Sequence, residues 1–273
     1  MNTIINRRIV IKGAGDLASG IAFRLCHAGF EIAMTEIAAP LAVRRMVSFS
    51  QAVYDGAARV EDVSALLVRD EAEMRLAFEK KQIAVFVDPT AAIAGNLRPA
   101  ALVDAVMAKK NTGTAITGAP LVIGVGPGFT AGVDCHAVIE TKRGHTLGRV
   151  ITEGSALPNT GIPGEIGGYT VERLLRSPAD GVFEALASIG DRVQKGDTVA
   201  FVRSAGAEGD EIPLKAGIGG IVRGLLPSGL AVTRGMKAGD VDPRCERFHC
   251  FTVSDKALAI GGGVLEAVLR FGN

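Results

Sequence analysis

Residues 8 to 36 constrain the fold more than any other stretch. The apolar run RIVIK, from Arg8 to Lys12, empties into GAGDLASG; Leu17, Ile21 and Leu25 then recur every fourth residue up to Gly29, and a second apolar run spans Glu31 to Glu36. A period near two, a glycine turn, a period near four and a second strand make a β-α-β unit. Gly13, Gly15 and Ala18 match G-x-G-x-x-[GA], and Glu36 follows about 20 residues on, where an acid would hold a ribose hydroxyl. Asp16 opposes that reading, because a carboxylate at the start of the helix caps its amides and repels a phosphate. The stretch therefore predicts a Rossmann-like doubly wound α/β sheet more firmly than a bound dinucleotide.

The following segments extend that sheet. Pro40 suits the first turn of a helix, which would carry Arg44 and Arg45 beside the crevice at the carboxyl ends of the strands, where an arginine clamps phosphate or carboxylate. Ile83 to Val87 predicts a parallel strand whose carboxyl end presents Asp88 to the same crevice. A helix is expected over residues 98–109. Leu121 to Val125 predicts a buried strand beside the Val10 strand, running into Gly126, Pro127 and Gly128, whose amides would form a nest for an anion. Phe129 and Thr130 follow, then Asp134, Cys135 and His136. Asp134 and His136 are a candidate proton-transfer pair, and the two glycine turns are expected as two lips of one cleft. Ala137 to Thr141 and Thr146 to Thr152 predict a hairpin.

The second half repeats itself. Gly181, Val182, Gly190, Val193 and Gly196 recur at one constant spacing as Gly220, Ile221, Gly229, Val232 and Gly235. A short-strand unit of this kind cannot bury its own apolar face, so two copies are expected to interlock. The spacing is similar to the two halves of a biotinyl/lipoyl-type barrel-sandwich hybrid. The connection RSAGAEGDEIP has no lysine at its tip, so neither biotin nor lipoate is expected. The organisation is then a ligand-binding domain over 1–156 with a hairpin extension, a connecting loop and helix over 157–176, the barrel-sandwich domain over 177–243, and a C-terminal segment with a helix over 244–273. Cys245, His249 and Cys250 lack the spacing and fourth ligand of a metal site, and Gly261, Gly262 and Gly263 either break the last helix or admit a neighbouring backbone.

Charge and composition exclude several classes. Lysine and arginine total 30 against 29 acids, a net charge of +1, which makes no electrostatic case for nucleic acid or an anionic membrane. No apolar run approaches 20 residues and the first residues hold a strand rather than a signal peptide. Four cysteines without a CxxC pair suit a reducing compartment. A cytoplasmic protein is expected, with a homo-oligomer allowed.

Taken together, IKGAGDLASG, MTEIAAPLAVRRMVSFS, LVIGVGPGFTAGVDCHAVIET, RGHTLGRVITEGSALPNTGIPGEIGGYT and GDVDPR with CFTVSDKALAIGGGVLEA resemble the selenium-dependent molybdenum hydroxylase accessory protein family. The resemblance implies a maturation factor whose partner is that hydroxylase and whose ligand is a phosphorylated anion, a molybdopterin cofactor form or a nucleotide. On that reading Gly13, Gly15, Asp16, Glu36, Arg44, Arg45, Asp88, Gly126, Gly128, Phe129 and Thr130 would line the ligand site. An NAD-dependent oxidoreductase and a non-catalytic docking chaperone for the apo-hydroxylase are the alternatives.

Overall fold

The computed structural model describes residues 7–159, 161, 163–204 and 210–272. The chain divides into two units. The first takes residues 1–40, 47–160 and 253–273; the second takes 41–46 and 161–252.

The first unit is built on a mixed nine-stranded sheet. Its elements are β1 (Arg8–Lys12), α1 (Asp16–His27), β2 (Glu31–Glu36), α2 (Ala52–Asp55), β3 (Ala57–Val60), β4 (Val63–Leu67), α3 (Glu71–Glu79), β5 (Ile83–Val87), α4 (Ile93–Leu97), β6 (Ala101–Asp104), β7 (Leu121–Val125), β8 (Ala137–Ile139) and β9 (Val150–Ile151). The strand order is β3-β4-β5-β2-β1-β6-β7-β8-β9. All pairs from β4 to β8 are parallel, and only the outer β3 and β9 run antiparallel. Apolar side chains fill both faces, as parallel strands with crossovers require. Ile9 and Ile11 point into one core with Ile21, Leu25, Phe49 and Val264, while Val10 points into the other with Met74, Leu97 and Phe129.

Three expectations fail. Residues 98–109 do not form a helix: the backbone turns at Arg98 through a φ of 43°, and Ala101–Asp104 becomes β6, between β1 and β7. A four-residue apolar run has no period to tell a buried strand from a helix; here two strand partners with open edges decide it. The Leu121 strand is consequently not the neighbour of the Val10 strand. The stretch after Pro40 also forms no long helix, only 3₁₀ turns at Arg45–Val47 and Phe49–Gln51 and the short α2. The β8–β9 pair forms the hairpin that alternation predicted.

The second unit holds two four-stranded antiparallel sheets, formed by β10 (Leu174–Arg176), β11 (Gly181–Ala185), β12 (Arg192–Val193), β13 (Thr198–Arg203), β14 (Glu211–Lys215), β15 (Gly220–Leu225), β16 (Leu230–Val232) and β17 (Lys237–Asp242). Their orders are β10-β17-β15-β12 and β14-β13-β11-β16. The segment ending at Arg176, expected as helix, is strand β10. The internal repeat has a direct structural counterpart, since each half lends its short second strand to the other half: β12 pairs with β15, and β16 with β11. Gly181 and Gly220 start equivalent strands with φ near +155°, and a Cβ on either would strike the carbonyl oxygen of the partner strand, at Arg203 and Asp242. The core combines Phe183, Val199, Val202, Val222, Leu225 and Val241 with Val43 from the inserted segment. The hairpin tip at 205–209, whose sequence contains no lysine, lies outside the described residues.

The last helix, α5 (Asp255–Phe271), is continuous through its three glycines and packs on α1. A Cβ on Gly261 would come within 2.7 Å of the Gly20 carbonyl oxygen, and one on Gly263 would collide with that of Gly148. Close backbone approach is what those two glycines permit. No helix is long and apolar enough to cross a membrane among the described residues.

Candidate functional site

In an open parallel sheet, ligands bind outside the carboxyl ends of the strands at the point where the chain moves from one side of the first strand to the other. Here that point lies between β1 and β6. At its floor Lys12 and Asp104, the last residues of these strands, form a buried ion pair at 3.5 Å. The Lys12 ammonium also donates to Thr112 at its carbonyl oxygen (3.2 Å) and hydroxyl (3.1 Å), and Thr114 donates its hydroxyl to Asp104 at 2.5 Å. The pair thus straps the loop after β6 onto the sheet.

The Gly13 to Asp16 turn stands beside it. Gly13 has a φ of +98°, and a Cβ there would sit 3.1 Å from the Ala105 carbonyl oxygen. A Cβ on Gly15, by contrast, would meet open space, and no side chain caps the amino end of α1 from that position. Glu36 does not point away from the turn: its carboxylate accepts from the Ala14 amide and from its neighbour Ile37, each at 2.9 Å. The back of the turn is braced by Ser19, whose hydroxyl donates to the Ala14 carbonyl (3.1 Å) and accepts from the Phe49 amide (2.8 Å).

Above this edge lies a residue that sequence reasoning missed. Lys256, on the first turn of α5, is half-buried, and among the described residues it makes no hydrogen bond or ion pair. Burial first, and then the Arg143 guanidinium, lower its pKa; Asp16, Glu140 and Asp255 act in the opposite sense. Asp255 itself accepts from both terminal nitrogens of the Arg143 guanidinium, at 2.6 and 3.0 Å. A signal was available, because a lysine in the first turn of a helix opposes the macrodipole.

The other residues singled out from the sequence lie in different surroundings. Gly126 and Gly128 have positive φ, but the space before them is filled: a Cβ on Gly126 would meet Thr141 at 2.9 Å, and one on Gly128 the Lys110 backbone at 2.8 Å. Phe129 is buried against Gly124. The Thr130 hydroxyl contacts that of Ser155 at 3.0 Å. Asp134 accepts from the Thr130 amide at 2.8 Å and from Asn111 at 3.2 Å. His136 accepts on Nδ1 from the amide of Val122 at 2.9 Å, near the start of β7 and so away from the strands' carboxyl ends. Among the described residues no hydrogen bond joins Asp134 to His136. Cys135 is fully buried, and burial raises its pKa to about 11.

Asp88 does directly follow β5, but its carboxylate serves the start of α4, accepting from the Ile93 amide at 2.9 Å and from the Thr90 hydroxyl at 3.1 Å. Burial would raise its pKa; the amides of Ile93 and Ala92 with the Thr90 hydroxyl outweigh that and hold it low. Arg44 and Arg45 belong to the second unit. Arg44 donates to the His249 carbonyl oxygen at 3.0 Å, and Arg45 to that of Leu225 at 2.8 Å. No cluster of three or more histidine, cysteine or carboxylate side chains that could hold a metal ion occurs among the described residues.

No family model matches the chain. The uncharacterized protein YqeB of Escherichia coli (strain K12) is 50% identical over 261 residues, 96% of this chain and 47% of that protein, so the chain spans about half the length of the curated relative it matches. Among solved structures, an aspartoacylase family protein from Mesorhizobium loti is 22% identical over 26% of this chain and 22% of its own, with a TM-score of 0.25. A succinylglutamate desuccinylase from Silicibacter is 12% identical, with 86% of this chain and 84% of that one covered and a TM-score of 0.27. Superpositions this loose carry no inference about the reaction. The resemblance to molybdenum hydroxylase accessory proteins is corrected here: no family model supports it, and none of the matched proteins is described as one. The hydroxylase partner and the role in its maturation lapse with it.

Proposed function

We propose that the first unit binds a small organic molecule through a single carboxylate at the carboxyl edge of its parallel strands, and that Lys256 serves there as anchor and proton-transfer group. The observation that carries the reading is the half-buried Lys256 ammonium with no hydrogen-bond or ion-pair partner among the described residues, within electrostatic reach of Asp16 and Glu140. The uncapped first turn of α1 and the open space over Gly15 supply amides to the same ligand. The surrounding carboxylates Asp16, Glu36 and Glu140 disfavour a multiply charged phosphate chain and leave room for one negative charge. A lysine whose pKa is lowered by burial exchanges a proton closer to neutral pH than an exposed one. In this reading the first unit is Rossmann-like and the second a barrel-sandwich hybrid, supported by the strand order around β1 and by the strand exchange between the repeat halves.

The test is a thermal-shift screen of the full chain against small mono- and dicarboxylates, repeated on Lys256→Met. A carboxylate that stabilises the wild type, with its effect at least tenfold weaker in the variant, is expected. Equal stabilisation of both proteins would sink the proposal.

A further inference from the structure

The carboxyl edge of the first unit carries an apolar rim that the charge of Lys256 does not account for. Val87 closes β5, Ile37 directly follows β2, and Val106 comes two residues after β6. They are 46%, 39% and 42% exposed, although each stands at the end of a strand whose interior is buried. Isolated exposed apolar residues are ordinary on a protein surface, but these three border one turn. Val87 lies opposite Glu36 in the register of β2 with β5, and Ile37 is the next residue in the chain. The Glu36 carboxylate accepts from the amides of Ala14 and Ile37, at 2.9 Å each, which holds Ile37 beside the Gly13 to Asp16 turn. On the other side of that turn, a Cβ on Gly13 would lie 3.2 Å from the Val106 nitrogen. Ala38 and Ala39 continue the exposed apolar stretch after β2.

What can cover this rim follows from its place and from the charges set into it. Sites for small molecules are mostly apolar, with a few polar groups that fix orientation, and in a parallel sheet they lie outside the carboxyl ends of the strands. The charged side chains interleaved with the rim, Glu36 and Asp88, are both acids, and their oxygens already accept backbone amides. Ionised carboxylates have no proton to donate, and they repel a second anionic group. Neighbouring strands lie about 4.8 Å apart, so roughly 10 Å separates the turn after β1 from Val87 at the end of β5, two strands away. A ligand as small as acetate cannot span that distance.

We propose, building on Lys256 as the carboxylate anchor, that the ligand of this edge is a monocarboxylate with an extended apolar body. Its carboxylate meets Lys256 and the amides over the open space at Gly15. The body, aliphatic or aromatic, passes Val106 and lies against Ile37 and Val87, where it takes exposed apolar surface out of water. A dicarboxylate of the same length gains nothing there, because its second charge would face Glu36 and Asp88.

The experiment titrates the full chain, followed by amide NMR, with acetate, succinate, 3-phenylpropionate and the uncharged 3-phenylpropan-1-ol. 3-Phenylpropionate should bind at least tenfold tighter than acetate, a difference of about 1.4 kcal/mol, and succinate no tighter than acetate. Ile37→Ser combined with Val87→Ser should weaken 3-phenylpropionate at least fivefold and leave acetate unchanged, whereas Lys256→Met should weaken both. If the double variant does not fold, Val106→Ser should weaken 3-phenylpropionate at least twofold in the same comparison. Acetate and 3-phenylpropionate bound equally, and both weakened by Lys256→Met, would overturn the apolar body and leave the carboxylate anchor standing. The alcohol bound as tightly as the acid, with Lys256→Met affecting neither, would overturn the anchor and this proposal with it. Serine variants that change the oligomeric state without changing 3-phenylpropionate affinity would assign the rim to contact between copies and overturn the proposal.

Discussion

At the scale of single residues, Asp242 shows how a buried carboxylate is held ionised. Burial alone would raise its pKa, but the Arg244 fork, the Arg244 amide and the charge of Arg223 hold it below the ordinary carboxylate value. A depressed folded pKa contributes stability that is present above the unfolded value near 3.9 and lost as pH falls through the lower folded value. Asp242→Asn should therefore cost on the order of 3 kcal/mol at neutral pH, at the low end for a buried pair because Arg244 is partly solvated. The cost should begin to shrink below about pH 4, where the unfolded chain takes up the proton, and disappear once the folded carboxylate is protonated at its lower value. Denaturant unfolding of both proteins across that range checks it; a pH-independent difference would show that Asp242 acts through packing. Individual site residues were only partly legible in the sequence. Asp88 and Glu36 could be placed at strand ends, but that their oxygens would be engaged by the Ile93 and Ala14 amides depended on backbone geometry outside their own segments.

At the scale of elements, the three glycines of α5 separate helix propensity from packing. Gly262 has nothing within 4 Å of a hypothetical Cβ, whereas Gly261 and Gly263 face the Gly20 and Gly148 carbonyls. Gly262→Ala should stabilise the protein by about 1 kcal/mol, the propensity difference in a helix interior. Gly261→Ala and Gly263→Ala should destabilise it by about 1–3 kcal/mol, because overpacking exceeds that gain. Thermal unfolding of the three variants decides the matter, and the same sign for all three would refute the packing account. Elements with a long period or a strong turn were readable in advance: β1, α1, β2, β7 and the β8–β9 hairpin. β6 and the stretch after Pro40 were not, since short apolar or mixed runs take the conformation their neighbours impose.

At the scale of the whole molecule, residues 41–46 leave the first unit and join the second. The Leu225 amide donates to the Val43 carbonyl oxygen at 2.8 Å, and Arg44 and Arg45 bind carbonyls of the same unit. Arg44→Met leaves the part-buried carbonyls of His249 and Thr252 without this donor, at a cost of about 1 kcal/mol. Native-state hydrogen exchange should show that loss at Leu225 and Val222 and not at Val10 or Val103. Equal loss in both sets would mean that the two units unfold together.

The β-α-β start, the duplicated half of the second unit and the balanced charge follow from short-range periods, glycine turns and composition, and so are legible in the residues alone. Long-range packing settles that β6 separates β1 from β7, that Arg44 and Arg45 serve the second unit, and that Lys256 comes within electrostatic reach of Asp16 and Glu140. Each of these depends on segments far apart in the chain competing for the same strand edge, carbonyl or crevice, and no local pattern encodes the outcome of that competition.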